Sequence, residues 1–353
     1  MIDLLIVGGY LTFMLGVGWR ARKASADAYW VADRQYGTGP VAASLVATIF
    51  GASSTVGIIG LGYSRGLTGA WWALVGGLAL VPFAFFLASR VRTLEVYTLP
   101  DILRKAYGKR VEMAGGVVIA IAWCGVVAAQ IVAGAHLVGG VFSLPFRLAL
   151  SVVAVVFVLY TYGGGLLAVV WTDVVCYFVL MAAVVIGFPL ALRHAGGIAG
   201  LHQALPPDRF DLGQLGVIEP LAWVALCFYS YGTDQAYVQR VFAAKKVDAA
   251  RFAYLFTGLN YVVFGGAVAV LGMSAAALLP DLAHHDEALP ALIMYIFPPG
   301  VRGLFLTGVV AATMSTSSSF LAAGSSLFAK DIYEPVLARG SSEKHLLLSL
   351  IHI

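Results

Sequence analysis

Charged side chains are scarce in this 353-residue sequence. Asp, Glu, Lys and Arg make up 11% of the residues, less than half of the roughly 25% found in an average soluble domain. Hydrophobic residues make up 60%, and the mean hydropathy is +0.89. This composition excludes an ordinary soluble domain. It indicates an integral membrane protein, because runs of about 20 apolar residues are long enough to cross a bilayer.

Cysteine and clustered catalytic side chains are scarce as well. Cys124, Cys176 and Cys227 lie in apolar segments, so they indicate no disulfide-forming compartment, and we expect packing residues. No apolar segment groups the His, Cys or carboxylate side chains expected of a membrane enzyme. We expect His136 to be a hydrogen-bonded core residue, and 284–287 (HHDE) to be an exposed loop without a second ligand cluster. The sequence therefore predicts neither an enzyme nor a cofactor.

The apolar segments predict an all-α bundle, because membrane barrels alternate polar and apolar residues over shorter segments. The first segment is followed, not preceded, by basic residues, which is the reverse of a signal peptide. We number the last eight of nine predicted helices as core helices 1 to 8. The nine segments are 2–20, 41–63, 69–89, 113–141, 147–162, 166–190, 220–240, 252–275 and 301–329.

The positions of Lys and Arg predict how these helices cross the membrane. If the N-terminus lies outside, seventeen of the 22 Lys and Arg residues fall in the inside segments. Such an excess is typical of cytoplasmic loops. The net charge of +4 then reflects membrane orientation and not binding to nucleic acid. We expect a multi-pass protein of the plasma (inner) membrane.

The helix directions favour an internal inverted repeat. Core helix 1 runs outward and core helix 6 runs inward, as in transporters built from two inverted five-helix repeats. A further apolar run begins at Leu346 and stops at Ile353, before a second repeat is complete. We expect one incomplete transmembrane domain at 1–340, truncated after core helix 8 and unable to transport by itself. Residues 341–353 then start another helix or form a tail that is not authentic sequence.

Two core helices contain polar, glycine-containing interruptions. Core helix 1 carries Gly51 and Gly57 around Ser53, and core helix 6 is interrupted at 230–235. Glycine weakens helical continuity. Paired interruptions in corresponding helices point to a binding site at the membrane midplane. Close packing of helices through small residues is the alternative interpretation.

Five consecutive hydroxyl side chains, 315–319, lie in the last apolar segment. Hydroxyl groups in membrane helices bond back to a carbonyl of the preceding turn or bridge to another helix. Uncharged oxygens are also the ligands of small hard cations. From the residues alone, both interpretations stay open.

Four motifs in order along the chain resemble the sodium:solute symporter family. They are YWVADRQYGTGPVAASLVATIFGASS (29–54), GGGLLAVVWTD (163–173), TDQAYVQRVFAAKK (233–246) and AATMSTSSSFLAAGSSLFAKDIY (311–333). The resemblance implies a five-plus-five inverted-repeat fold and a sodium site between core helices 1 and 8. Its ligands would be the backbone carbonyls of Ala52, Thr55 and Ala312 and the hydroxyls of Ser315 and Thr316. The resemblance gives 317–319 no such role, so we expect those serines to pack.

Two carboxylates lie within predicted helices. Asp173 is seven residues into core helix 5, about 10 Å deep at 1.5 Å per residue, and an ionisable residue at that depth is a functional candidate. The resemblance implies that it attracts sodium on the inward exit path. The alternative is an interfacial carboxylate paired with an inside Lys or Arg. Asp234 either caps a half-helix or lines the path.

The resemblance implies a sodium-coupled symporter that imports a small polar organic solute by alternating access. Its partners would be a sodium ion, the solute and membrane lipid, without nucleic acid. Two other functions stay open, namely a transporter-like sensor domain of a signalling protein and a sodium-independent facilitator. Five polar side chains are candidates for the solute pocket: Ser53, Gln130, Ser230, Tyr231 and Asn260.

Overall fold

The computed structural model describes residues 2–20, 32–93, 98–161 and 165–334. Within these ranges the chain is helical, apart from short connections and one isolated β-bridge between Tyr36 and Ala244. The α-helices are α1 (Ile2–Arg20), α2 (Thr38–Ile49), α3 (Ile58–Arg65), α4 (Trp71–Pro82), α5 (Ala88–Thr93), α6 (Leu99–Tyr107), α7 (Lys109–Phe142), α8 (Phe146–Thr161), α9 (Gly165–His194), α10 (Gly197–Ala204), α11 (Ile218–Thr233), α12 (Gln235–Ala243), α13 (Val247–Leu278), α14 (Ala288–Ile296) and α15 (Val301–Leu327).

Every predicted membrane helix overlaps helical structure. Six helical stretches among the described residues are long and apolar enough to cross a membrane, namely Ile2–Arg20, Ser53–Arg90, Lys109–Phe142, Leu166–His194, Val247–Leu278 and Val301–Tyr333. Core helix 1 consists of α2 and α3, and core helix 6 consists of α11 and α12. Because both are broken, neither forms one continuous α-helix of membrane length.

Three short helices were not predicted. α6 and α14 have nine residues each and α10 has eight, so none is long enough to appear as a membrane segment. α6 nevertheless carries a local start signal. The Thr98 hydroxyl accepts a hydrogen bond from the Asp101 N–H, and the Asp101 side chain accepts one from the Thr98 N–H. This reciprocal pair is a capping box.

The burial of the long helices divides the bundle into a centre and a periphery. In α15 and its π-helical extension, Phe328–Tyr333, 89% of the most apolar window is buried, against 11% for α1. α15 packs against α9, α7 and α2, and α13 packs against α2, α3 and α4. Large apolar side chains such as Leu5, Phe86 and Ile121 are exposed on the outer helices. In a membrane protein these side chains face lipid.

Several side-chain predictions need correction. Cys176 and Cys227 are buried, but Cys124 is exposed, so it is not a packing residue. His136 is also exposed, and its ring lies 4.8 Å from that of Phe146, so it does not belong to the core.

The prediction of an exposed segment at 284–287 is confirmed, although His285–Glu287 forms a short 3-10 helix. The predicted tail at 341–353 and the first residues of two motifs, 29–31 and 163–164, lie outside the described residues.

Candidate cation and solute site

Core helix 1 is broken between α2 and the π-helical turn Ser53–Gly57. Phe50 leaves the helical conformation, with φ −84° and ψ 58°. The N–H of Ala52 bonds to the side-chain Oε1 of Gln130, at 2.8 Å, in place of a backbone carbonyl. Gln130 comes from α7, so a side chain of another helix satisfies backbone that the break releases. The prediction of an interruption here is confirmed.

α15 approaches core helix 1 at this break. The Thr316 hydroxyl donates a hydrogen bond of 3.0 Å to the carbonyl of Thr48, near the end of α2. A Cβ atom placed on Gly51 would lie 2.6 Å from Thr316 Oγ1 and 2.8 Å from Gln130 Oε1. Such distances are too short for non-bonded atoms, so only glycine lets the three helices meet without displacement.

A second group of polar contacts surrounds Asp173 on α9. The Asp173 side chain is fully buried. Its Oδ1 accepts a hydrogen bond from the Ser315 hydroxyl at 2.5 Å. Its Oδ2 accepts one from Ser44 at 2.6 Å and lies 3.0 Å from Nη2 of Arg240, which is also buried. Asp173 therefore has the arginine partner of the alternative interpretation. The pair is buried, however, and not at an interface.

The other members of this network were not predicted from the sequence. Arg240 also bonds to Ser319 and to the carbonyl of Ala236, and Ser319 Oγ lies 3.1 Å from Thr48 Oγ1. Ser319 is thus a bridging residue and not merely a packing residue. One signal was present in the sequence, because a charged residue buried in a membrane protein needs a partner of opposite charge.

The two neighbouring serines differ. The Ser318 hydroxyl bonds back to the carbonyl of Ser315 at 3.0 Å, as the packing interpretation expects. The buried hydroxyl of Ser317 has no partner among the described residues.

Core helix 6 is broken at Asp234, between α11 and α12. Asp234 has extended backbone angles, and its Oδ1 accepts a hydrogen bond from the N–H of Ala236 at 2.8 Å. This is an N-cap of α12. The same residue lines a cavity between the two breaks. The capping role of Asp234 is thus observed, and its role in lining the ion path stays a prediction.

The two breaks border one cavity of about 230 Å³. Its polar lining includes four of the five predicted pocket residues, together with Asp234 and Thr316. Its apolar lining is rich in aromatic rings from five helices. The cavity is therefore suited to a small solute that has both hydrogen-bonding groups and an apolar face. The four predicted residues are Ser53, Gln130, Ser230 and Tyr231, and the rings belong to Trp72, Tyr231, Tyr237, Tyr261 and Phe320.

Asn260, the fifth predicted pocket residue, does not line the cavity. Its side-chain nitrogen donates to the carbonyl of Phe256 at 2.9 Å, and its Oδ1 accepts from Tyr177 at 3.3 Å. The side chain is thus used in a contact between α13 and α9. Helical periodicity alone does not distinguish this face of α13 from the face that carries Tyr261.

The five predicted sodium ligands lie on the two stretches that meet at the break. The Ala52 carbonyl accepts a hydrogen bond from Gly57 N, and the Thr55 carbonyl accepts one from Ile58 N. Each carbonyl oxygen has a second lone pair. The hydroxyl of Thr316 faces the break, whereas that of Ser315 faces Asp173, and Ala312 lies one turn earlier on α15. Neutral oxygens of this kind are suited to a hard monovalent cation.

Two broken membrane helices around a polar cavity, packed against a central helix, define a secondary transporter of the inverted-repeat class. The chain belongs to the sodium:solute symporter family, whose sequence pattern matches residues 29–353. Solved structures agree with the fold. A substrate-bound, outward-open Na⁺-coupled sialic acid symporter has a TM-score of 0.88 at 20% identity, over 99% of this chain and 78% of that chain. The nucleobase-cation-symport-1 transporter Mhp1 has 0.67 at 15% identity, over 92% and 72%.

Similar sequences include transporters of different solutes. The sodium/glucose cotransporter of Vibrio parahaemolyticus is 26% identical over 98% of this chain and 71% of its own length. The high-affinity proline transporter PutP of Bacillus subtilis is 28% identical over 94% and 74%. Human sodium/glucose cotransporter 4 is 26% identical over 98% and 58%. The chain thus spans between about three-fifths and three-quarters of the length of these relatives.

Proposed function

We propose that the protein is a sodium-coupled symporter that carries a small polar organic solute by alternating access. The observation that carries this proposal is the meeting of the broken core helix 1 with Thr316 of α15 at the edge of the central cavity. A cation bound there would touch elements that line the cavity, so ion binding and solute binding would depend on each other.

The proposed sodium ligands are the carbonyls of Ala52, Thr55 and Ala312 and the hydroxyls of Ser315 and Thr316. Their position at a helix break supports this assignment, because unwound carbonyls coordinate sodium in transporters of this class. Asp173 is proposed to attract the ion on its inward exit path. Its hydrogen bond to Ser315 supports that role, since it puts a carboxylate next to the proposed ligands.

The solute is proposed to occupy the cavity of about 230 Å³. Relatives that are named for glucose, myo-inositol and proline support a small polar organic molecule. The mixture of hydroxyl, amide and aromatic groups in the cavity suits such a molecule.

Sodium entry supplies enough free energy for accumulation. One charge that crosses 100 mV yields about 2.3 kcal/mol, and a tenfold gradient adds about 1.4 kcal/mol. Together these support roughly 500-fold accumulation of a neutral solute. The proposed activity is transport without a catalysed reaction. The proposed location is the plasma membrane, with the N-terminus outside.

The test is solute uptake by the full-length protein, with sodium and with choline in its place, using a panel of sugars, amino acids, carboxylates and vitamins. We expect one solute class to enter only with sodium. In Ser315→Ala/Thr316→Ala, the sodium concentration for half-maximal uptake should rise about tenfold or more, which corresponds to at least about 1.4 kcal/mol of binding free energy.

Ser317→Ala is the matched control, because it removes a buried hydroxyl from the same helix that has no partner among the described residues. It should keep wild-type sodium activation. Membrane insertion should be unaffected in both variants, since alanine is apolar. Unchanged sodium activation in the double variant would reject the proposed site, and equal uptake in choline would identify a facilitator.

A further inference from the structure

Three carboxylates meet away from the central cavity, where α6, the start of α7 and the extension of α15 come together. Asp101, Glu112 and Asp331 each place one carboxylate oxygen within 4.8 Å of the other two. Asp331 is 1% exposed and Glu112 is 3% exposed, whereas Asp101 is half-buried. Three like charges at this spacing repel one another, so the cluster needs either bound protons or a cation.

The side chains that the structure describes neutralise and hydrogen-bond these three carboxylates only in part. Arg104 lies 3.5 Å from Glu112 Oε1, but its side chain is 61% exposed. The Thr98 hydroxyl donates to Asp331 Oδ1 at 3.2 Å, and the Thr98 N–H donates to Asp101 Oδ2 at 3.2 Å. Lys109 and Lys330 act on the cluster electrostatically, yet neither of them donates to the second oxygen of Asp331.

That second oxygen, Asp331 Oδ2, is the strongest sign of a ligand. It is buried and has no hydrogen-bond partner among the described residues. A buried carboxylate oxygen without a donor is costly. The same carboxylate contributes an oxygen to the cluster, so a cation bound by the three side chains would offset the cost of burying it.

We propose that Asp101, Glu112 and Asp331 bind one hard divalent cation of the Ca²⁺ type. Ca²⁺ takes carboxylate oxygens at about 2.3–2.6 Å, so two of its ligands are at most about 5 Å apart. The three oxygens satisfy this limit. Carboxylate oxygens are also the ligands that hard divalent cations prefer.

The ion would join parts of the fold that lie beside a broken helix. Asp331 follows α15, whereas Asp101 and Glu112 belong to the adjacent α6 and α7. The N–H of Leu99 on α6 bonds to Oε1 of Gln235, the first residue of α12, at 2.5 Å. The cluster lies among the basic residues that the proposed topology assigns to the cytoplasm. The ion would therefore fasten α15 to α6 and α7 at the cytoplasmic end.

The test is calcium binding by the purified chain in detergent with sodium present, after removal of metals with EDTA. Isothermal titration with CaCl₂, and separately with MgCl₂, to about 5 mM covers the weak range of protein calcium sites. We expect one saturable site per chain for at least one of the two ions, and a higher Tm with that ion bound. Asp331→Asn and Glu112→Gln should each weaken binding by about tenfold or more.

Asp248→Asn is the matched control, since this aspartate lies on the same proposed side of the membrane and its side chain is 88% exposed. It should bind the ion as the wild type does. Glu112→Gln and Asp101→Asn keep the test decisive if Asp331→Asn does not fold. Absence of saturable binding of either ion would overturn the proposal, and so would binding that survives in every folded cluster variant.

Discussion

At the scale of single residues, the pair of Asp173 and Arg240 joins the proposed cation site to the broken core helix 6. The carboxylate accepts hydrogen bonds from Ser315 on α15 and from Ser44 on α2. The guanidinium bonds to the same carboxylate and to the Ala236 carbonyl in α12. A sodium ion that leaves past Asp173 would compete with Arg240 for the carboxylate. Ion exit and rearrangement of α12 would thus depend on each other.

Removal of this arginine should destabilise the protein strongly. Arg240→Ala leaves Asp173 buried without its cation, which costs about 3–5 kcal/mol of unfolding free energy. The Asp173→Asn/Arg240→Gln double variant removes both charges, so it should recover part of this loss. Thermal or denaturant unfolding in detergent measures both effects.

Arg65→Ala is the matched control, because Arg65 pairs with Glu219 at 2.7 Å but is 46% exposed. A surface pair contributes only about 0–1 kcal/mol. If Arg240→Ala were no more destabilising than Arg65→Ala, the buried pair would not have the role described.

These residues show which parts of the site could be predicted from the sequence. The depth of Asp173 and the placement of Thr316 on the last helix followed from position along the chain. The partnership with Arg240 did not, because it depends on where α12 restarts after the break and on which of its faces meets Asp173. Ser319 was missed for a related reason. The Ser319 hydroxyl reaches Arg240 only because α15 is rotated about its axis as the structure shows.

At the scale of elements, the break in core helix 1 determines the shape of the site. Glycine density predicted a break near Gly51, but not the π-helical turn that follows it, since that turn depends on contacts with Gln130 and Thr316. The short helices α6, α10 and α14 were missed because apolar length, and not local capping, defined the predicted segments. The capping box at Thr98 shows that a local signal for α6 was present.

Two glycines of this break should respond oppositely to alanine. Gly51→Ala would place a methyl group 2.6 Å from Thr316 Oγ1, so it should displace Thr316 and Gln130 and weaken sodium activation of uptake by about tenfold or more. Gly57 has helical angles, φ −62° and ψ −48°, and the nearest atom to an added Cβ is 3.7 Å away. Gly57→Ala should therefore be neutral or stabilise by up to about 1 kcal/mol.

Uptake at graded sodium concentrations, with Tm measured in parallel, separates the two variants. If Gly51→Ala kept wild-type sodium activation, the close approach of α15 to the break would not matter for function. A large loss of stability in Gly57→Ala would show that glycine has another role in the π-helical turn.

At the scale of the whole molecule, the helix that carries the proposed hydroxyl ligands of the ion is more buried than the other long helices, as expected of a carrier. Among the membrane-length helices that the structure describes, the one with the hydroxyl run is the most buried, at 89% of its most apolar window, and the first is the least buried, at 11%. Exposed apolar side chains cover the outer helices, while the buried ion pair lies within the bundle. Burial thus separates a lipid-facing exterior from an interior that holds the polar site, without reference to a bound ion.

The distribution of Lys and Arg predicts which end of this bundle faces the cytoplasm. Asp248 lies at the start of α13 and Asp286 lies beyond its end. Their side chains are exposed, at 88% and 62% of their surface. After replacement of Cys124, Cys176 and Cys227, a cysteine introduced by Asp286→Cys should react with a membrane-impermeant maleimide in intact cells. A cysteine introduced by Asp248→Cys should react only after permeabilisation, because the basic segments beside it stay in the cytoplasm. Labelling in the opposite order would invert the proposed topology and place the carboxylate cluster of Asp331 outside.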